Sequence, residues 1–258
     1  MKTTNIRRGK HKQAFTLVEL IVVIAIVVFI IGFFPCVTTT RSLVNANATR
    51  VGNNGRNIVL AIISANMERK LAGLGSVWPS TNACINPQSP NHDYTKDSNS
   101  ENYFADLAGR VQGVGVSDNF SWHIFSGAGI PAAATAAQFE EGGFNAWNYI
   151  AGLDCNTPGD TPFLITANTK IDRLKLEKFS AESATKLTSA EIDALFGTGK
   201  PFGDMMAVFI QKDSSMRQMK KKYLKNPKLF TNSSRFNAEN NPNAKVIGAA
   251  KGALNSGN

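Results

Sequence analysis

The chain reads as an α+β protein: a long N-terminal spine helix, apolar all round in its first half, packed by its second half on a small antiparallel sheet. Three observations predict this. A run of 21 residues, 15–35, holds a single charge. Apolar residues then recur at helical spacing up to about residue 73. Beyond them stand three short β-branched and aromatic runs, parted by turn residues.

The apolar run, FTLVELIVVIAIVVFIIGFFP, would be about 31 Å long as a helix at ~1.5 Å per residue, enough to cross bilayer hydrocarbon. Five of the 28 basic residues, Lys2, Arg7, Arg8, Lys10 and Lys12, precede it in an acid-free stretch. Basic flanks stay in the cytoplasm, so everything after Pro35 is expected outside it. Without these five the net charge drops from +9 to +4, which makes overall charge a poor argument for nucleic acid. A secretory signal has a shorter apolar core and small residues at its cleavage site. Here Gly32-Phe33-Phe34-Pro35-Cys36 offers no A-x-A pattern, and the nearest one, Ala46-Asn47-Ala48, lies well beyond the run.

Glu19 is the charge inside the run. A carboxylate in a membrane helix costs up to about 3 kcal/mol at the centre and points to a partner. It follows Phe15 by one helical turn, so a cut before Phe15 would create an amine beside it.

The segment Lys12-Gln13-Ala14-Phe15-Thr16-Leu17-Val18-Glu19-Leu20-Ile21 resembles the prepilin motif of type IV pilins and type II secretion pseudopilins. The resemblance covers about residues 8–35. It implies cleavage between Ala14 and Phe15 by prepilin peptidase, N-methylation of Phe15, and Glu19 as the assembly carboxylate. Ala14 departs from the usual Gly before the cut. The implied protein is a non-enzymatic filament subunit without a cofactor. Its implied partners are the peptidase, an inner-membrane assembly platform and other pilin subunits. It would sit in the inner membrane with its head outside the cytoplasm, then in a periplasmic or surface filament.

The expected organisation is a cleaved leader 1–14, a transmembrane or filament-core helix 15–35, an amphipathic continuation 36–75, a head 76–230 and an Asn-rich tail 231–258, loosely packed. Pro35 should bend or melt the helix. Val44, Ala48, Val51, Ile58, Ile62 and Ala65 form the apolar stripe of the continuation, while Gly52 and Gly55 weaken it. Gly73 and Gly75 stop it. Ser98-x-x-Glu101 and Thr188-x-x-Glu191 read as capping boxes of two short helices. Phe120–Phe125 reads as a strand or turn and 132–138 as a short alanine-rich segment. The strands expected are Ala146–Leu153, Pro162–Thr166 and Met205–Gln211, the first two joined at Pro158-Gly159-Asp160.

Other constellations say less. Cys84 and Cys155 permit one disulfide in an oxidising compartment, or remain two thiols. Asp154 and Asp160 could offer oxygens to Ca²⁺, though turn chemistry explains them equally. His92 and His123 lack ligands at metal spacing. Gly197-Thr198-Gly199-Lys200 fails the phosphate-loop pattern at Ala194 and Pro201 and reads as a turn. Arg217, Lys220, Lys221, Lys222, Lys225 and Lys228 form a basic segment free of acid. Two alternatives stay open: a DNA-binding minor pilin using that segment, and a membrane-anchored secreted enzyme or carbohydrate-binding protein using Trp78, Trp122 or Trp147.

Overall fold

The computed structural model describes residues 16–33, 35–86, 90–109, 120–170, 188–221 and 244–250. It divides into two compact units, Met1–Val44 and Asn45–Asn258. Helix α1 spans Leu17–Phe33 and α2 spans Pro35–Leu71. The bend expected at Pro35 falls beside Phe34, which lies outside the described residues. At the far end Gly73 takes a positive φ of 68°. Leu74 N–H then donates to the Arg69 carbonyl at 2.9 Å and Gly73 N–H to Lys70 at 3.3 Å, closing the last turn.

Among the described residues the second unit contains the rest of α2, three short helices and one sheet. The short helices are α3 (Glu101–Leu107), α4 (Ala136–Glu141) and α5 (Ser189–Ala194). The strands are β1 (Trp147–Ala151), β2 (Pro162–Thr166), β3 (Met206–Gln211), β4 (Met216–Lys220) and β5 (Lys245–Ile247). They lie in the order β4-β3-β2-β1-β5, every neighbouring pair antiparallel. The three expected strands are present, trimmed by a residue or two.

The register lines up Ile247, Tyr149, Leu164, Ile210 and Met216 across the five strands. Trp147 stands two residues from Tyr149 on the same face. The second half of α2 approaches this face closely, and its two glycines are the reason. A Cβ at Gly55 would stand 2.7 Å from both Ile210 Cγ1 and Trp147 Cη2, and one at Gly52 would meet Met216 Sδ. Glycines read from sequence as helix weaknesses are thus the contact surface. The expected stripe holds at Ala48, Val51, Ile58, Ile62 and Ala65, all buried, with Val44 only half-buried. Helix α3 sets Tyr103 and Phe104 against Tyr149, at centroid distances of 4.8 and 5.8 Å.

The loop after α2 is pinned back onto it. Arg69 donates to the carbonyls of Gly75 and Ile85, each at 3.0 Å, and to that of Cys84. Asn66 Oδ1 accepts from Val77 N–H at 2.9 Å and Ser76 Oγ at 3.0 Å.

Two expectations are corrected. Ser98 does not cap α3: Ser100 occupies the N-cap, and Glu101 is fully buried, accepting from Ala250 N–H at 2.9 and 3.1 Å. The basic segment begins as a strand, with Arg217 and Lys220 on β4. Its hairpin escaped notice because Ser214, not a glycine, holds the positive φ of 67°. The tail is not wholly loose: β5 pairs with β1, and Ala244 and Ile247 are buried. Of the two readings of Phe120–Phe125, strand or turn, the turn holds, as a 3₁₀ turn at Trp122–Phe125. The Thr188–Glu191 capping box is present at α5 as read. Gly197 is a turn, its N–H donating to Asn168 at 2.7 Å.

Gly55→Ala should destabilise the head by up to about 2 kcal/mol, since overpacking costs about 1–3 kcal/mol and the helix gains about 1. Gly52→Ala should be milder, because the Met216 side chain can swing aside. Urea unfolding of the full chain, followed by tryptophan fluorescence, ranks the two.

Burial raises the Glu101 pKa, opposed by the Ala250 N–H among other hydrogen bonds. A raised folded pKa contributes stability that is full below the unfolded carboxylate value and lost as pH rises through the folded one. Glu101→Gln, neutral at every pH, should remove that loss and unfold at higher urea than wild type at neutral pH. The gap should close on acidification. A difference independent of pH would contradict this.

Candidate functional site

Helix α1 is built almost wholly from Val, Ile, Leu and Phe. β-Branched residues are mediocre helix formers in water, but without competing water the backbone must satisfy itself, and a helix does so. Leu17, Val18, Leu20, Ile21, Val22, Val23, Ile24, Ile26, Val27, Val28 and Phe29 are all exposed, so no side of the described helix is polar or covered. At 17 residues α1 is about 26 Å long. No helix among the described residues is long and apolar enough to cross a membrane. The 21-residue run read from sequence includes Phe15 and Phe34, which lie outside the described residues.

Glu19 is held at the start of α1. Its Oε2 accepts from Thr16 N–H at 2.9 Å and from Thr16 Oγ1 at 2.8 Å, and Thr16 Oγ1 accepts from Glu19 N–H at 3.3 Å. This is a reciprocal capping box, in which side chains satisfy N–H groups that the helix end leaves without acceptors. Thr16 is the functional partner that sequence reasoning missed. Its signal, Thr-x-x-Glu, was the pattern used at Thr188, here hidden by the apolar run. Ala14 and Phe15 lie outside the described residues.

The basic segment is dispersed. Arg217 Nε donates to Gln211 Oε1 at 3.3 Å, and Lys220 Nζ to Asn45 Oδ1 at 2.9 Å. Lys221 sits between Asp193 and Asp204, at 3.1 and 3.2 Å. Lys222, Lys225 and Lys228 lie outside the described residues. Of the tryptophans considered as a saccharide platform, Trp147 and Trp78 are buried. Trp78 is edge-on to Phe163 and beneath the Lys212 ammonium. Trp122 is half-buried against Phe125 and Phe139.

Asp154 Oδ1 accepts from Asn156 N–H, Thr157 N–H and Thr157 Oγ1 at 2.9–3.0 Å, which is turn chemistry. Asp160 offers its carbonyl to Gln211 Nε2 at 2.6 Å. Among the described residues no three His, Cys, Asp or Glu side chains converge as metal ligands. His92 Nε2 lies 2.7 Å from buried Asp97 Oδ1, and His123 lies in the 3₁₀ turn.

Cys84 and Cys155 are free thiols, so the disulfide is not formed in this structure. Cys84 Sγ accepts from Arg69 Nη2 at 3.3 Å, and exposed Cys155 lends its carbonyl to Lys212 Nζ at 3.2 Å. In a Cys36→Ala chain a thiol reagent should modify Cys155 rapidly and Cys84 slowly, with both reacting after unfolding without reductant. No reaction in the unfolded chain would contradict free thiols.

Residues 9–34 match the family model of the prokaryotic N-terminal methylation motif. No curated protein and no solved structure matched the chain. The chain thus carries the prokaryotic N-terminal methylation motif across its first helix, followed by α2 and an antiparallel sheet, consistent with the type IV pilin-like and pseudopilin family.

Proposed function

We propose that the protein is a structural subunit of a type IV pilus-like or type II secretion pseudopilus filament, assembled through α1. The observation that carries this reading is the methylation motif at residues 9–34 running into a helix with no polar face. Before assembly, residues 15–35 are held in the inner membrane with the basic leader in the cytoplasm. Prepilin peptidase cuts between Ala14 and Phe15, and Phe15 is N-methylated. The assembly platform then moves α1 from lipid into an equally apolar filament core, where burial is kept.

Cleavage changes the electrostatics at the helix start. The cut creates an amine on Phe15, next to Thr16, whose N–H and hydroxyl already point at Glu19 Oε2. The carboxylate is therefore pre-oriented toward the end of the chain where the positive charge appears. In a filament it is also in position to meet the amine of a staggered neighbour.

Glu19→Gln separates charge from capping, because Gln serves a capping box as Glu does. The variant should insert and be processed like wild type. Leaving a buried amine without its counter-charge costs several kcal/mol, so co-expressed variant should be depleted at least about tenfold from sheared filaments. Equal ratios in membrane and filament would contradict the assembly role of the charge.

A further inference from the structure

The C-terminal segment 244–250 is held almost entirely through its backbone. Strand β5 is three residues long and adds to the edge of β1, pairing Ile247 with Tyr149, Val246 with Ile150 and Lys245 with Ala151. Past the strand three groups of the head clamp the main chain in turn. Ser100 N–H donates to the Gly248 carbonyl at 2.9 Å, and Ala249 N–H donates to Asn148 Oδ1 at 3.0 Å. Ala250 N–H donates to the buried Glu101 carboxylate. Ala244 and Ile247 are the side chains this segment buries. The acceptor is thus the β1 edge, with an amide, an N–H and a carboxylate in a line, filled in this structure by the chain's own segment. It selects an extended strand ending in small residues.

Chain length permits that edge to be filled from elsewhere. β4 ends at Lys220 and β5 begins at Lys245, leaving 24 residues between them. In the sheet the two strands are opposite edges, four spacings or about 19 Å apart. Twenty-four residues can span up to about 80 Å when extended. The covalent connection therefore does not dictate which copy's β1 receives the segment. A strand exchanged between identical chains makes the same hydrogen bonds in both states, so local concentration decides the outcome.

We infer that the β1 edge, with Ser100, Asn148 and Glu101, is a strand-acceptor site that takes residues 244–250 of a second copy of this chain. Packed subunits raise the local concentration, and each exchanged strand ties one head to the next without a new kind of contact. The inference rests on the filament reading only for that closeness of copies.

The test uses full-length chains lacking Cys36, Cys84 and Cys155. One tagged copy carries Ile150→Cys and a differently tagged copy Val246→Cys; as strand partners these positions lie within disulfide reach. Ala151→Cys with Lys245→Cys is the second pair, should burial at Ile150 not tolerate the change. Both cysteines in one copy give the internal control. The expected result is a covalent dimer bearing both tags in sheared filaments, in detergent-extracted protein, or in both. If the single-copy control closes within one chain and neither fraction yields a two-tag dimer, exchange is overturned. Recovery of the tagged chain in sheared filaments scores the filament reading separately, so the two can fail independently.

Discussion

An apolar helix with no polar side must be covered by something, and this requirement governs the rest of the chain. Eleven large side chains of α1 are exposed in the structure. Fully burying such a side chain is worth about 1.5–3 kcal/mol, so together they forgo on the order of 20 kcal/mol. That exceeds the net stability of about 5–15 kcal/mol typical of a folded domain. Lipid and a bundle of like helices both meet the requirement, and neither asks for a specific pocket. The specific element is one carboxylate, Glu19, oriented by Thr16 at the helix start.

The second unit solves the opposite problem: it must leave little apolar surface uncovered. Gly52 and Gly55 bring α2 against Trp147, Ile210 and Met216, and the aromatic side chains of α3 fill in beside Tyr149. Polar side chains then fix loops by grasping the backbone: Arg69 on residues 75–85, Lys212 Nζ on the Cys155 and Thr157 carbonyls, Glu101 on Ala250. Such clamps hold irregular chain in place beside the side chains it buries.

Periodicity and punctuation made much of this legible. The glycine at the end of α2, β1 to β3 and the Thr188–Glu191 cap could all be read from residue order, because each depends on neighbours within a few positions. The rest depends on distant partners. Ser98-x-x-Glu101 has the same local pattern as Thr188-x-x-Glu191, and only the burial of Glu101 against Ala250 separates them. β5 is too short to declare itself and exists because β1 offers an edge. At the N-terminus Glu19 was legible as an anomaly of charge. Its bond to Thr16 was overlooked because the capping pattern lies inside residues that read as membrane.

The central claim is that the chain functions with its N-terminus at Phe15, one residue before the Thr16–Glu19 cap. Intact-mass and N-terminal peptide analysis of material sheared from cells producing the full chain measures this directly. The account predicts a mature chain beginning at an N-methylated Phe15, with the first fourteen residues absent. A chain still beginning at Met1, or one beginning after Ala48 with α1 removed, would contradict it.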